Sequence, residues 1–434
     1  MLATYRSVNF RLWLAIILTA LLPSIYSTVR IYFLNDLPDT WNLSIAAQSA
    51  WLNLSYEVLQ EALLLPLFYI LGQVVRDRAA LKLRVTYSFY VTLAAYIALT
   101  TFVLFGAGWL SGAMAQQDEL VALTASYIRL EAIAKVLSTL TEICIIVVVV
   151  LSWGRLLLWL VLLRAVLTIF FDSLFVSQFQ FSLNLGVLGV AWTNIAVALF
   201  MLIPTLLILG RLGVLGLSIG KTELHWRRDW FRVAARSGME SAVRNLAFSL
   251  MILRLMNEVQ EAGLFWVTNG FIWGWLLLPI LTLGTLIRQD TATHAGRIGQ
   301  RFRAYLGIVT IIVCIWIATI PLWGWFIANA MGSNEAERIV SLTLIMLIFY
   351  IAFAYNHVLD SYLYGMGRTD LMLYQALFVS VFYYGSAFVA YRIGVFAPDL
   401  TQIALLFGGG ILVDSALTLF QFHRARYFKT ATTE

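Results

Sequence analysis

Long apolar segments separated by short polar and charged segments are the dominant pattern of this 434-residue chain. A helix that crosses the hydrocarbon core of a bilayer needs about 20 predominantly apolar residues. Stretches of that order without Asp, Glu, Lys or Arg include 12–29, 173–210, 264–287, 305–334 and 371–391. The pattern therefore predicts an integral membrane protein whose helices face lipid or the interior of a helix bundle.

Turn signals and groups of charged residues divide the chain into twelve predicted spans. Their approximate bounds are 10–35, 46–73, 84–112, 119–150, 155–178, 186–210, 230–256, 263–287, 304–330, 338–364, 370–392 and 401–423. We therefore predict an all-α membrane protein with twelve transmembrane helices. The first apolar run, which follows Arg6 and Arg11, is longer than the roughly 7–15 residues of a signal peptide, so we expect it to remain as the first span.

Basic residues concentrate in alternate connections between the predicted spans, and acidic residues dominate the others. One side collects Arg76, Arg78, Lys82, Arg84, Arg155, Arg211, Lys221, Arg227, Arg228, Arg288, Arg301 and Arg368, among others. The opposite side holds Asp36, Asp39, Asp118, Glu119, Glu258, Glu261, Glu335, Glu337 and Asp399. By the positive-inside rule, this alternation predicts an even number of spans with both termini cytoplasmic, in the cell (inner) membrane.

An internal repeat is indicated by three short matches at one spacing. LLLP ends at Pro66 and Pro279, 213 residues apart, and the same spacing relates Arg155 to Arg368 and Arg84 to Arg297. We therefore predict an N-terminal six-helix lobe at 1–210, a cytoplasmic linker at 211–229 and a C-terminal six-helix lobe at 230–434. Six spans per lobe give both lobes the same orientation, and a substrate cavity between them is expected.

Composition excludes several other functions. Hydrophobic residues make up 61% of the chain and charged residues 12%, and the net charge of +6 follows the loops rather than one soluble face, so we expect no nucleic-acid partner. The two cysteines give no metal motif. Gly220-Lys221-Thr222 resembles the end of a phosphate-binding loop, but Leu215 stands where the first Gly is required. We predict no cofactor, no metal and no enzymatic activity.

Charged side chains inside the predicted spans are the candidates for function, because a lone ionised group there costs roughly 2.5–3.5 kcal/mol. Glu57 and Glu61 share one helix face, and either they raise each other's affinity for protons or they pair with a neighbouring Arg. Glu131 and Lys135 have the spacing of a structural ion pair. His357, one turn from Asp360, either relays protons or packs in a helix interface.

Several segments resemble motifs of the multidrug and toxin extrusion (MATE) family, whose members are antiporters with twelve spans in two lobes. LTIFFDSLFV at 167–176 is similar to the LNxxLDxxFI pattern of the fifth span, and GVLGVAW at 186–192 to GxxGAAW of the sixth. YIRL at 127–130 resembles YLRI, YGMGRT at 364–369 resembles RGxGxT, and YILGQ at 69–73 matches in the second span. The resemblance extends along nearly the whole chain.

The resemblance implies a cation site in the N-terminal lobe, where Asp172 falls on a cation-binding Asp and Thr168 on a position that is usually Asn. Three positions depart from the family. Arg30 stands at the first-span acid, Arg244 at the seventh-span Glu, and Phe353 at the tenth-span acid of some members, with Asp360 two turns further on.

An Arg at a cation site stays protonated and would serve as a built-in counter-ion. We therefore hypothesise an Arg–acid pair in each lobe. Asp172 would pair with Arg30, and Asp360 or Asp414 would pair with Arg244. Asn194 in the sixth span completes the candidate transport residues.

These observations predict a monomeric secondary transporter in the lipid bilayer, which exports a small organic solute in exchange for a proton or a sodium ion. The alternative is a flippase or exporter of anionic lipid-linked precursors, suggested by the intramembrane Arg residues. A third possibility is a receptor or scaffold that transports nothing, but such a protein would not need buried acids or two-lobe symmetry.

Overall fold

The computed structural model describes residues 8–39, 41–151, 153–214, 216, 225–293, 299–366 and 368–431. The Gly220-Lys221-Thr222 segment and much of the predicted linker lie outside these residues. Within them the chain is helical, with helices α1 to α8 at Phe10–Asn35, Trp41–Ala47, Ser49–Leu59, Leu67–Gly72, Arg78–Ala113, Val121–Val150, Gly154–Phe175 and Val187–Leu212. Helices α9 to α17 follow at His225–Phe248, Arg254–Glu258, Ala262–Phe271, Leu278–Thr293, Gly299–Asn329, Ala336–Gly365, Thr369–Phe378, Gly385–Arg392 and Leu400–Ala431.

The predicted helical membrane protein is confirmed. In the described part of the chain, nine helices are long and apolar enough to span a bilayer, and the bent pair Ala262–Leu276 and Leu278–Thr291 would be a tenth. The predicted span 46–73 does not meet this criterion because its helix is interrupted at Leu65 and Pro66. The predicted span 230–256 begins inside α9, which carries Arg and Glu side chains along its length.

Four π-helical segments interrupt the helices of the described chain, at Gln60–Leu64, Ser249–Leu253, Ile272–Leu276 and Val379–Tyr384. The first and the third begin 212 residues apart, at 60 and 272, and each is followed by one of the two LLLP prolines. Proline lacks the N–H that would continue the preceding helix, which accounts for a break at each place. The two breaks thus lie at equivalent positions of the predicted internal repeat, and the repeat itself stays a prediction.

Two compact units make up the chain. The central unit is Phe33–Gly263, and the two-segment unit combines Met1–Tyr32 with Leu264–Glu434. These units are defined by spatial compactness, whereas the lobes at 1–210 and 230–434 were predicted from an internal sequence repeat. The compact units therefore do not test the predicted lobes, which stay a prediction. In the compact units, however, α1 belongs with the C-terminal helices and α9 belongs with the N-terminal ones.

The central unit is built around α6. Helices α5 and α8 pack on it, and its side chains Tyr127, Ile128 and Val148 are almost completely buried. The N-terminus of α5 is capped by Asp77, whose side chain accepts hydrogen bonds from the backbone N–H groups of Ala79 and Ala80 at 3.0 and 3.1 Å.

The two-segment unit is built around α14, against which α12, α13 and α17 pack. Helix α1 is fixed to this unit by side-chain hydrogen bonds. The indole Nε1 of Trp13 donates to Thr282 Oγ1 at 3.2 Å, and Trp275 Nε1 donates to Thr28 Oγ1 at 2.9 Å. These bonds give a physical reason for the grouping of the first span with residues 264–434.

Candidate functional site

Glu57 and Glu61 contact one guanidinium in the central unit. Glu57 lies on α3 and Glu61 lies one turn later, in the first π-helical segment, so both face α9. Arg244 Nη2 lies 2.9 Å from Glu61 Oε1 and 3.4 Å from Glu57 Oε1. Its Nη1 lies 3.1 Å from Oε1 of Glu240, one turn earlier on α9. We call these four residues the arginine cluster.

Close packing of α9 against the π-helical segment positions the arginine cluster. A Cβ on Gly238 would lie 2.8 Å from the Cβ of Ala62, so glycine is what allows this approach. Ser237 Oγ donates to the backbone oxygen of Glu61 at 2.9 Å, and Asn245 Nδ2 donates to that of Leu54 at 3.1 Å. These two bonds join α9 to the π-helical segment and to α3.

Charge in the arginine cluster is unequal, with three carboxylates around one guanidinium. Their side chains are 39% exposed for Glu57, 25% for Glu61 and 12% for Glu240, and that of Arg244 is 41% exposed. Of the two interpretations of Glu57 and Glu61, pairing with a neighbouring Arg is the one observed. The sequence-based hypothesis paired Arg244 with Asp360 or Asp414, which belong to the two-segment unit, and that pairing stays a prediction. It did not identify Glu240 or the second-span acids as partners of Arg244.

Polar side chains also meet in the interior of the central unit. Glu131 on α6 is 3% exposed and accepts a hydrogen bond from Asn194 Nδ2 on α8 at 2.7 Å. Asp172 on α7 is fully buried. Thr168, one turn earlier, donates to the backbone oxygen of Arg164 at 2.8 Å, in its own helix. The structure thus gives Asn194 a specific acidic partner that its sequence position did not indicate.

The predicted pairing of Asp172 with Arg30 stays a prediction. Arg30 is half-buried on α1, in the two-segment unit, and Asp172 belongs to the central unit.

Asp360 and Asp414 come together in the two-segment unit, from α14 and α17. Asn356 Nδ2 donates to both carboxylates, at 2.9 Å to Asp360 Oδ2 and 3.3 Å to Asp414 Oδ2. Thr418 Oγ1 donates to Asp360 Oδ1 at 2.9 Å, and Gln375 Nε2 donates to Asp414 Oδ1 at 2.5 Å. We call Asp360 and Asp414 the aspartate pair.

Sequence reasoning missed the three neutral residues that surround the aspartate pair. Asn356 precedes Asp360 by four residues and Thr418 follows Asp414 by four, so the one-turn spacing of α-helices was an available signal for both. Gln375 comes from α15, and no local signal connects it to either Asp.

His357 lies beside the aspartate pair, on the same helix as Asp360. Its ring stacks on Phe353 with 5.5 Å between ring centroids, and it is 9% exposed. Gly284 on α12 leaves room for the ring, because a Cβ there would lie 2.6 Å from His357 Cδ2. Close packing of this kind accords with the structural interpretation of His357, although a proton relay is not tested by it.

Solved structures of MATE transporters share this fold. An outward-facing multidrug resistance MATE family transporter of the MOP superfamily superimposes with a TM-score of 0.70, at 14% identity, over 99% of this chain and 98% of its own. A MATE structure in complex with MaD3S gives a TM-score of 0.69, at 15% identity, over 99% and 98%.

A third similar structure is a MOP superfamily transporter from Pyrococcus furiosus Vc1. Its TM-score is 0.69, at 16% identity, over 99% of this chain and 98% of that one, and reverse polarity of its binding pocket is said to suggest a different function. The sequence matches no family model and no curated protein. The chain therefore has the fold of MATE transporters of the MOP superfamily, and it is a multi-pass membrane protein.

Proposed function

We propose that this protein is a secondary active transporter that exports an organic solute in exchange for a proton or a sodium ion. The observation that carries the proposal is the likeness to MATE transporters over 94–99% of the chain, in both outward-facing and inward-facing structures. Such a protein alternates between two conformations, and a cation that binds one of them better shifts the equilibrium.

Acids inside the predicted spans would supply the cation chemistry that exchange requires. The arginine cluster has three carboxylates for one guanidinium, and the aspartate pair has two carboxylates with neutral hydrogen-bond donors. Ionised groups at membrane depth are costly and are retained mainly where an ion or a substrate uses them. Asp172 and Thr168 are further candidates by resemblance to the family.

Export of anionic lipid-linked precursors is the second candidate function. It was suggested by Arg30 and Arg244, whose positive charges could bind an anionic headgroup. At Arg244 the three surrounding carboxylates weigh against it, because they outnumber the guanidinium that an anionic headgroup would need. We therefore favour a cationic or neutral organic solute and expect the transporter to act as a monomer. We also place it in the cell (inner) membrane with both termini cytoplasmic, which reporter fusions at each terminus would test.

Reconstitution into liposomes tests the proposed function. Vesicles containing the protein would be loaded with ethidium or with a neutral or anionic dye, and a pH gradient or a sodium gradient would be imposed separately. We expect one gradient to drive dye against its concentration and protein-free vesicles to show no such movement. If neither gradient moves any of the dyes, the proposal is wrong; if only a lipid-linked substrate moves, the second candidate is correct.

A further inference from the structure

Every carboxylate oxygen of the aspartate pair accepts a hydrogen bond from a described neutral donor. The two outer oxygens, Asp360 Oδ1 and Asp414 Oδ1, bind Thr418 and Gln375. The two inner oxygens share a single nitrogen, Nδ2 of Asn356. The inner oxygens of both carboxylates therefore lie around one N–H₂ group, and at this proximity the negative charge of one carboxylate disfavours ionisation of the other.

Other charged or titratable groups act on the aspartate pair from the elements packed against it. Arg288 on α12 acts on Asp360, and Tyr384 in the last π-helical segment acts on Asp414. The neighbouring titratable groups are His357 and Tyr350 on α14, and Tyr383 beside Tyr384. On α13, Arg301 and Tyr305 bind Asp290. The charge of Arg288 reaches Asp360 and His357, but the hydrogen bonds described for the two carboxylates come from uncharged groups.

The amide groups around the aspartate pair supply a second, independent observation. Asn356 is 3% exposed and Gln375 is 4% exposed, and their oxygens Oδ1 and Oε1 have no hydrogen-bond partner among the described residues. A buried acceptor without a partner is unfavourable, because it has lost its hydrogen bond to water. Rotation of either amide by half a turn would turn this oxygen towards the carboxylates, where it would accept the O–H of a protonated acid.

These two amides therefore match both forms of an acid. Their N–H₂ groups donate to a carboxylate, and their oxygens accept from a carboxylic acid. A protonated acid needs only one of these amide oxygens turned towards it, whereas a sodium ion, which takes several oxygen ligands, would need both amides to rotate at once.

We propose that Asp360 and Asp414 together hold one exchangeable proton, and that this proton is the ion exchanged for solute. Binding takes the pair from two negative charges to one, and release restores the second charge. Asn356 is a positioning residue that holds the inner oxygens together. The coupling role rests on the proposed function, and it assigns the exchanged ion to the two-segment unit rather than to Asp172 in the central unit.

Infrared spectroscopy of the purified full-length protein tests proton binding without any transport assay. We expect a carboxylic-acid C=O band to appear as the pH is lowered. In Asp360→Asn and in Asp414→Asn the band should be weaker, because the protonated pair no longer contributes to it. Asp370→Asn is the matched control, because this exposed acid pairs with Arg368 at 3.0 Å outside the site. Asp414→Glu, which retains an acid, should keep a band even if the Asn variants fold poorly.

The titration midpoint of this band tests the positioning role of Asn356. In the ionised pair Asn356 donates to two carboxylates, whereas its oxygen can accept from only one protonated acid, so Asn356→Ala should cost the ionised form more and move the midpoint to higher pH. A change in stability alone would leave the midpoint in place. Bands of full wild-type intensity in both Asn variants would overturn the proposal, and so would loss of the band on addition of sodium at constant pH.

Vesicle transport separates this proposal from the proposed function. We expect a pH gradient to drive ethidium in the wild type and in Asp370→Asn, and both Asp360→Asn and Asp414→Asn to abolish this movement. If these two variants still respond to the pH gradient, the coupling proton is elsewhere and the transporter proposal stands. If the wild type moves no dye although the infrared band behaves as expected, the proton site stands and its coupling role is wrong.

Discussion

The arginine cluster and the aspartate pair handle excess negative charge in different ways. In the arginine cluster a guanidinium is built into the chain and contacts three carboxylates directly. In the aspartate pair the described donors are an Asn, a Gln and a Thr, which orient the carboxylates without neutralising them. One site is thus stabilised by a guanidinium in direct contact, whereas the described contacts of the other are neutral, and there we propose that an exchangeable proton reduces the negative charge.

The largest expected change in stability follows from removing the guanidinium of the arginine cluster. Arg244→Ala leaves Glu57, Glu61 and Glu240 close together without their guanidinium. We expect a loss of about 2–3 kcal/mol in unfolding free energy, less than for a fully buried pair because Arg244 is 41% exposed. Thermal unfolding in detergent measures it, with Arg232→Ala as the control, since Arg232 pairs with Asp229 on the surface. Equal stability of the two variants would contradict the account.

Close packing beside the aspartate pair should give the next effect. A Cβ added in Gly284→Ala would lie 2.7 Å from Ser361 Oγ and would also meet the His357 ring. Overpacking of this kind costs roughly 1–3 kcal/mol. Gly108→Ala is the control, because nothing lies within 4 Å of its Cβ position. We expect the unfolding temperature to fall in the first variant only, and an unchanged temperature would show that α12 can move away.

A rescue experiment sharpens the comparison at the arginine cluster. Adding Glu61→Gln to Arg244→Ala removes one of the three carboxylates left unneutralised, and we expect it to recover about 1 kcal/mol. In the wild-type background the same substitution removes a partner of Arg244, so it should destabilise the protein. The sign reversal is measured by a double-mutant cycle in thermal unfolding. The same sign in both backgrounds would mean that Glu61 acts independently of Arg244.

The smallest effect concerns a single hydroxyl group at the aspartate pair. Thr418→Val removes the donor to Asp360 Oδ1, and we expect a loss of about 1 kcal/mol. Thr168→Val is the matched control, because the Thr168 hydroxyl donates only within its own helix in the bonds described, to Arg164. Unfolding free energies of the two variants provide the test. A cost for Thr168→Val as large as that for Thr418→Val would indicate a further role for Thr168.

The sequence was sufficient for features that depend on local spacing. Apolar run length predicted the helical membrane fold, and a four-residue spacing placed Glu57 and Glu61 on one face towards a common partner. Partners contributed by distant helices were not predictable. Gln375 reaches Asp414 from α15, a contact that follows from tertiary packing rather than from any spacing along the chain. Glu240 is different, because it lies one turn before Arg244 on α9 and the four-residue spacing was an available signal.

The π-helical interruptions and the composition of the compact units could not be predicted from sequence patterns either. LLLP marked two related breaks, but apolar periodicity gave no sign of the π-helical segments that precede them. The grouping of α1 with residues 264–434 depends on individual hydrogen bonds, such as that from Trp13 to Thr282, whose partners lie far apart in the sequence.

Linkage between solute and cation binding tests the central claim of exchange most directly. Ethidium, or another dye that the reconstituted protein transports, would be added to purified protein in weakly buffered detergent while pH and free sodium are recorded. Exchange requires the two ligands to disfavour each other, and this coupling is reciprocal. We predict release of protons on dye binding, and weaker dye binding as the pH falls. Tight dye binding that releases neither protons nor sodium and is independent of both would contradict the account.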